Sequence, residues 1–183
     1  MVSRQEKTQQ ALVAAATRLF SAYGVRRTAM EQIAQEAQVA KATAYAYFPN
    51  KDAVFVAVVD AVIAQLEEVT RVAAEAAPDP AAAVRDSMLA KYALEWKLVH
   101  GSPHARELLA ASQGLAAEAM QAAHARHAKQ LAQWLVRAGV RRGEAAELAE
   151  TLDDAFEGLA AGAQSLEQLE SRGALLLRRV LGG

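Results

Sequence analysis

Cysteine is absent from all 183 residues. That removes disulfides, thiolate metal sites and cysteine nucleophiles together, and leaves four histidines and the carboxylates as the only metal-ligating types. Proline is scarce, with four residues, and the alternation of β-branched and polar residues that a half-buried strand needs is missing. No apolar run reaches spanning length, because VFVAVVDAVIAQL is broken by Asp60. The opening residues MVSRQEK carry no apolar signal core, so the expectation is a soluble chain in a reducing cytoplasm, with no membrane partner. There is no glycine-rich phosphate loop, no nucleophile elbow and no HExxH arrangement. The neighbouring carboxylates Glu67-Glu68 and Asp153-Asp154 point to different sides of a helix, so no catalytic set is expected.

What the chain has is alanine, 45 residues of it, with abundant leucine, glutamate, glutamine and arginine. This is an all-α composition, in a chain long enough to bury a core without staples. Charge is nearly balanced overall but unevenly spread. Residues 1–51 hold seven Lys/Arg against three Asp/Glu, and residues 52–183 hold thirteen against eighteen. A basic head that meets a polyanion and an acidic body with another task follow from that split.

Start and stop signals divide the chain into about nine helices. Ser3-Arg4-Gln5-Glu6 is a capping box for helix one, over residues 4–22, with Gly24 as its stop. Thr28-Ala29-Met30-Glu31 reads as a second box opening a short helix, and a third helix begins near Ala40 and ends at Pro49-Asn50. Asn50 can cap a long fourth helix from Lys51 to about Ala77. Asp79-Pro80 and Ser102-Pro103 are start signals for helices five and six, with breaks at Gly101 and Gly114. A seventh helix from Leu115 to Ala138 closes at Gly139 in a Schellman ending, the eighth fits residues 144–162, and Ser165-Leu166-Glu167-Gln168 opens the last, which ends at Gly182-Gly183. The expected domains are a helix-turn-helix head, residues 1–50, and a helical body, residues 51–183.

Two short helices joined by a turn, the second slim and hydroxylated, suit the DNA major groove, which is about 12 Å wide. In VAKATAYAYF the alanines at 40, 42, 44 and 46 keep that helix narrow. Lys41 and Thr43 can reach base edges or phosphates, Tyr45 and Tyr47 can offer hydroxyls to phosphate, and Lys51 sits at a helix N-terminus whose amides also attract phosphate. Two residues apart on a helix are about 200° apart around it, so one tyrosine should be packed and the other free. Phe20, Ile33, Val39 and Phe48 read as core.

The pattern Leu12, Ala15-Ala16, Leu19-Phe20, Gly24, Thr28, Met30, Ile33-Ala34, Ala37, Val39, Lys41, Thr43, Tyr45, Tyr47-Phe48, Lys51 closely resembles the N-terminal domain of the TetR family of bacterial transcriptional regulators, over about the first 55 residues. The resemblance implies a three-helix DNA-binding head, a divergent ligand-binding body and a homodimer that leaves its operator when a small molecule binds. By position it makes Thr28, Lys41, Ala42, Thr43, Tyr45, Tyr47 and Lys51 the DNA contacts. The chain departs from the family at Gln38 and Ala42, where glycine is frequent, and at Ala29, where a hydroxyl residue is. A left-handed backbone at Gln38 would cost on the order of 1 kcal/mol.

In the body, Met88, Tyr92 and Trp96 recur at fourfold spacing on helix five, with Met120, His124 and Trp134 on helix seven. Such stripes line a pocket for an apolar or amphipathic effector, or they are core; Met88, Tyr92, Trp96, Met120, His124 and Trp134 are the candidate pocket residues. His124 and His127, one turn apart, could share a metal with His100, His104 or Glu107, but no tight ligand motif supports this, and neither metal nor cofactor is expected. Leu148, Leu152, Phe156, Leu159, Leu166 and Leu169 are the candidate dimer surface, with Gly158 and Gly162 permitting close helix approach. The sequence thus reads as a non-enzymatic repressor that binds a near-palindromic double-stranded DNA operator as a homodimer and is released by a small effector. The alternatives are a DNA-binding regulator whose body binds a protein or nothing, and a helical enzyme or carrier with an incidental helix-turn-helix.

Overall fold

The computed structural model describes residues 3–182. Among the described residues there are nine helices and no strand: α1 (Arg4–Tyr23), α2 (Met30–Glu36), α3 (Lys41–Tyr47), α4 (Lys51–Ala76), α5 (Pro80–His100), α6 (Ala105–Leu115), α7 (Ala117–Arg137), α8 (Ala145–Gly162) and α9 (Leu166–Leu181). Gly183, expected beside Gly182 at the end of the last helix, lies outside the described residues. The chain forms two compact units, Met1–Ile63 with Val99–Met120, and Ala64–Leu98 with Gln121–Gly183. The N-terminal unit is therefore assembled from two separate stretches of sequence.

In that unit the expected cap of α1 is present in both directions. Glu6 N–H donates to Ser3 Oγ at 3.1 Å, and Ser3 N–H donates to Glu6 Oε2 at 2.6 Å. α1 buries Leu12, Ala15, Ala16 and Phe20, and the Phe20 ring meets Phe55 of α4 with centroids 5.8 Å apart. It ends at Gly24, whose φ of 82° with ψ of 161° is open to glycine alone. α2 departs from expectation by one residue. Its N-cap is Ala29, whose N–H donates to Gln32 Oε1 at 2.7 Å, while the Thr28 hydroxyl turns back to donate to Gly24 O at 2.8 Å. The buried Thr28 side chain finds its acceptor in the preceding turn and so is not free to cap. Asn50 caps α4, its Oδ1 accepting from Ala53 N–H at 2.8 Å.

The expected start of helix six at Ser102-Pro103 is also displaced, since α6 begins at Ala105. The Ser102 hydroxyl accepts from His104 N–H at 3.1 Å and donates to Ser21 O at 2.9 Å, so it ties a turn to the end of α1. Gly114 does not break the chain; α6 runs through it to Leu115, and Ala116 separates α6 from α7. A glycine with open space around it costs a helix only about 1 kcal/mol, too little to end one by itself.

The second unit packs α5, α7, α8 and α9 around Met88, Tyr92, Leu131, Trp134, Leu135, Leu152, Phe156, Leu169 and Leu177. Asp79 Oδ1 accepts from Ala82 N–H at 2.8 Å, which caps α5. α7 closes in the expected Schellman ending, with Val140 N–H on Leu135 O at 3.0 Å, Gly139 N–H on Val136 O at 3.1 Å and Gly139 at φ 99°. Ser165 Oγ accepts from Gln168 N–H at 3.2 Å, but the Gln168 side chain takes the amide of Gln164 in place of that of Ser165. Gly173 lets α9 approach α8 so closely that a Cβ there would lie 2.6 Å from Phe156 Cε1.

Candidate nucleic-acid interface

The turn between α2 and α3 is a Schellman ending built without glycine. Val39 N–H donates to Ala34 O at 2.9 Å, Gln38 N–H donates to Gln35 O at 3.0 Å, and Gln38 takes φ 56°, the one positive φ among described non-glycine residues. The turn thus demands the left-handed residue, and Gln38 supplies it under strain. It sends the chain into α3, where Ala44 is buried and Phe48, just past the end, is 6% exposed. Those two anchors fix which face of α3 looks outward.

The outward face carries Lys41, Ala42, Tyr45 and Ala46, all exposed, with Thr43 and Tyr47 half-buried at its edges. Tyr45 is 40% exposed, so Tyr47 is the more packed of the pair. Lys41 Nζ bridges to Glu31 Oε1 of α2 at 2.6 Å and stands 5.8 Å from the Tyr45 ring centroid. The bond to Glu31 and its charge raise the Lys41 ammonium pKa and lower that of the Glu31 carboxyl. An anion brought to this face would have to compete with Glu31 for the ammonium.

Lys51 is half-buried at the start of α4, and its Nζ donates to Thr28 O at 2.9 Å and to Arg26 O at 3.5 Å. Thr28 is 3% exposed with its hydroxyl spent on Gly24, so its side chain holds the turn and its carbonyl receives Lys51. Arg26 and Arg27 are exposed on the same turn.

The candidate pocket residues divide between the two units. Met88, Tyr92 and Trp134 belong to the apolar core of the second unit, Trp96 packs against that core, His124 is exposed, and Met120 belongs to the N-terminal unit. The Tyr92 and Phe156 rings lie 4.8 Å apart within that core. What the sequence reading missed is a polar cluster beside this core. Asp153 Oδ1 accepts from the Tyr92 hydroxyl at 2.8 Å and from Lys91 Nζ at 3.1 Å, and Lys91 also reaches Glu95 at 3.7 Å. His127 Nε2 stands 3.3 Å from the same oxygen without forming a hydrogen bond. Burial would raise the Asp153 carboxyl, but His127, Lys91 and the Tyr92 hydroxyl outweigh it and hold the group well below the usual carboxylate range. Burial raises Glu95, and burial followed by the Asp153 charge raises the Tyr92 phenol. The one available signal was Asp153 falling on the buried stripe of α8 while Asp154 falls outside it.

A separate open groove of about 650 Å³ runs between α7 and α8, floored by Ala128, Ala132, Val136 and Ala145 and edged by Lys129, Arg137, Arg142 and Glu150. Of the candidate dimer residues, Leu152, Phe156 and Leu169 are at most 2% exposed within the single chain and serve its own core. Leu148, Leu159 and Leu166 are half-buried, and Gly158 and Gly162 face open space. The hydrophobic stripe of α8 is wide enough to supply a core and a surface, and periodicity does not divide the two.

Residues 12–58 match the model of bacterial regulatory proteins of the tetR family. No curated protein matches the chain in sequence. Among solved structures, it is similar to a putative transcriptional regulator from Pseudomonas aeruginosa, with a TM-score of 0.71 at 17% identity, covering 98% of this chain and 91% of that one. A TetR-like transcriptional regulator from a Rhodococcus species superposes with a TM-score of 0.68 at 21% identity, covering 100% of both chains. The fatty acid degradation regulator FadR from Bacillus halodurans gives a TM-score of 0.64 at 16% identity, covering 96% of this chain and 95% of that one. Among the described residues no helix is long and apolar enough to cross a membrane. The N-terminal helices thus match the tetR family of bacterial regulatory proteins, and along its whole length the chain has the fold of TetR-like transcriptional regulators of known structure.

Proposed function

We propose that the protein is a cytoplasmic, non-enzymatic repressor that binds a near-palindromic DNA operator as a homodimer. The observation that carries the reading is the outward face of α3, where Lys41 and Tyr45 stand on a helix kept slim by Ala42 and Ala46. Thr43 at its edge can read bases, Tyr47 can touch phosphate with its hydroxyl, and Lys51 adds positive charge at the start of α4. Pairing through the exposed sides of α8 and α9, around Gly158, Gly162, Leu159 and Leu166, would present two such faces to successive major grooves about 35 Å apart.

Release by a small apolar or amphipathic effector fits the family's habit, and the regulator of fatty acid degradation among the similar structures is compatible with an amphipathic ligand. A second reading has an observation of its own. Met88 and Tyr92 are fully packed in the core of the second unit, which supports a body that answers to a protein partner or to nothing. The deciding experiment selects genomic fragments on the purified protein, then measures affinity for the tightest fragment across salt concentrations. A DNA-binding regulator gives one recurring near-palindrome and an affinity that falls steeply with salt, as counterion release requires. Recovery of no common sequence, with salt-independent retention, would sink the reading in favour of a helical enzyme or carrier.

A further inference from the structure

We propose that Glu107 is a positioning residue for the DNA-reading helices, holding from α6 the backbone turn that leads into α2. The inference rests on the reading of α3 as the DNA-contacting helix. Its basis is a set of contacts that span more than 80 positions of sequence. Glu107 Oε1 accepts the Arg26 N–H at 2.9 Å. Its other oxygen lies so close to Gly24 that any Cβ there would collide with it, and Gly24 holds φ 82°. Nearby, the Ser102 hydroxyl donates to Ser21 O at 2.9 Å, and α6 packs on α1. His104 Nδ1 stands 3.7 Å from Glu107 Oε2.

The turn is held from α4 as well. Lys51 donates to the carbonyls of Arg26 and Thr28, so Arg26 gives its N–H to Glu107 and its C=O to Lys51. α2 begins two residues after Thr28, and its N-cap carries no side-chain acceptor of its own. The direction in which α2 and α3 leave the turn is therefore set by what grips residues 24–28. A carboxylate and an ammonium thus grip it through an N–H and through carbonyls. Base contacts tolerate displacements of only about 0.5 Å, whereas phosphate contacts by long basic side chains tolerate more. Losing the Glu107 hold should thus cost sequence-specific binding more than general affinity.

The test compares Glu107→Ala and Glu107→Gln with the wild type on the tightest selected genomic duplex and on a random-sequence duplex of equal length. Amide hydrogen exchange at Arg26 is followed in parallel. Glu107→Gln keeps an oxygen for the Arg26 amide and should stay close to wild type in every measurement. Glu107→Ala should speed Arg26 exchange roughly tenfold and weaken the selected duplex about tenfold, with the random duplex changed less than about twofold. Should the alanine variant not fold, Glu107→Asp, one methylene short of the amide, takes its place. Wild-type exchange and affinity in the alanine or aspartate variant would overturn the inference, as would equal losses on both duplexes. A wild type that binds neither duplex would instead sink the DNA reading, a result distinguishable from the first.

Discussion

Gln38 is out of keeping with its backbone, and the sequence raised that strain only as a condition on the turn. The turn needs a left-handed residue, and Gln38 takes φ 56° where glycine would do so freely. Gln38→Gly relieves that strain but loosens the unfolded chain, so the net gain should be about 0.5 kcal/mol, seen as a raised urea midpoint at unchanged slope. Lys51 carries two tasks at once. Lys51→Ala should weaken binding to every duplex and lower the salt slope by about one, as loss of a phosphate contact does, with the selected duplex losing more because Lys51 also grips the turn into α2. Because its ammonium also binds Thr28 O and Arg26 O, the same change should cost about 1 kcal/mol of stability in chemical denaturation. The sequence identified Lys51 as a helix-start cation. Its carbonyl partners lie 23 and 25 positions away, beyond any local pattern.

Between elements, the docking of α9 on α8 turns on Gly173. A Cβ there would sit 2.6 and 2.7 Å from Phe156 ring carbons and 3.2 Å from Leu89 Cδ2, and the ring is fully buried with no room to swing. Alanine improves helix propensity by about 1 kcal/mol, but overpacking a closed contact costs about 1–3 kcal/mol. Gly173→Ala should therefore be net destabilising, read as a lower melting temperature with α-helical content retained below it. Asp153 joins α8 to α5 by accepting from Tyr92 and Lys91. Its carboxyl is depressed in the folded chain, so the stability it contributes is present above its unfolded value of about 3.9 and is lost as pH falls further. Asp153→Asn should cost about 1–2 kcal/mol near neutral pH, and the gap between variant and wild type should narrow below about pH 4 in pH-resolved denaturation. Caps were largely legible at this scale: Ser3, Asn50, Asp79, Ser165 and the Gly139 ending work by contacts within five residues. Thr28 and Ser102 departed because each found a tertiary or turn acceptor that no local signal announces.

At the scale of the whole molecule, the proposed homodimer calls for surface that the single chain leaves uncovered. Leu175 is 51% exposed on α9, where the sequence stripe gave no reason to separate it from its buried neighbour Leu177. Leu175→Glu should convert a species of twice 19.5 kDa into one of 19.5 kDa in sedimentation at micromolar concentration. With one recognition helix in place of two, operator affinity should fall by roughly a thousandfold, toward the non-specific level. A wild type that sediments as a single chain would count against the dimer.

Residues 1–51 by themselves determined the helical class and the two short helices joined by a turn; the left-handed backbone at Gln38 and the outward face of α3 came from the folded chain. The class and the helices depend on periodicity, on hydroxyl and amide caps, and on which side chains are too apolar to leave in water, all of which act within a few residues. Tertiary structure decided the rest. It recruited Val99–Met120 into the N-terminal unit and set Glu107 on the Arg26 amide. It packed Tyr92 against Phe156 where the stripe alone allowed a pocket, and gathered Lys91, His127 and Asp153 from three helices onto one oxygen. A stripe of apolar residues records that a face is buried; the partner that buries it is chosen by shape and charge complementarity between distant segments, which no local pattern encodes.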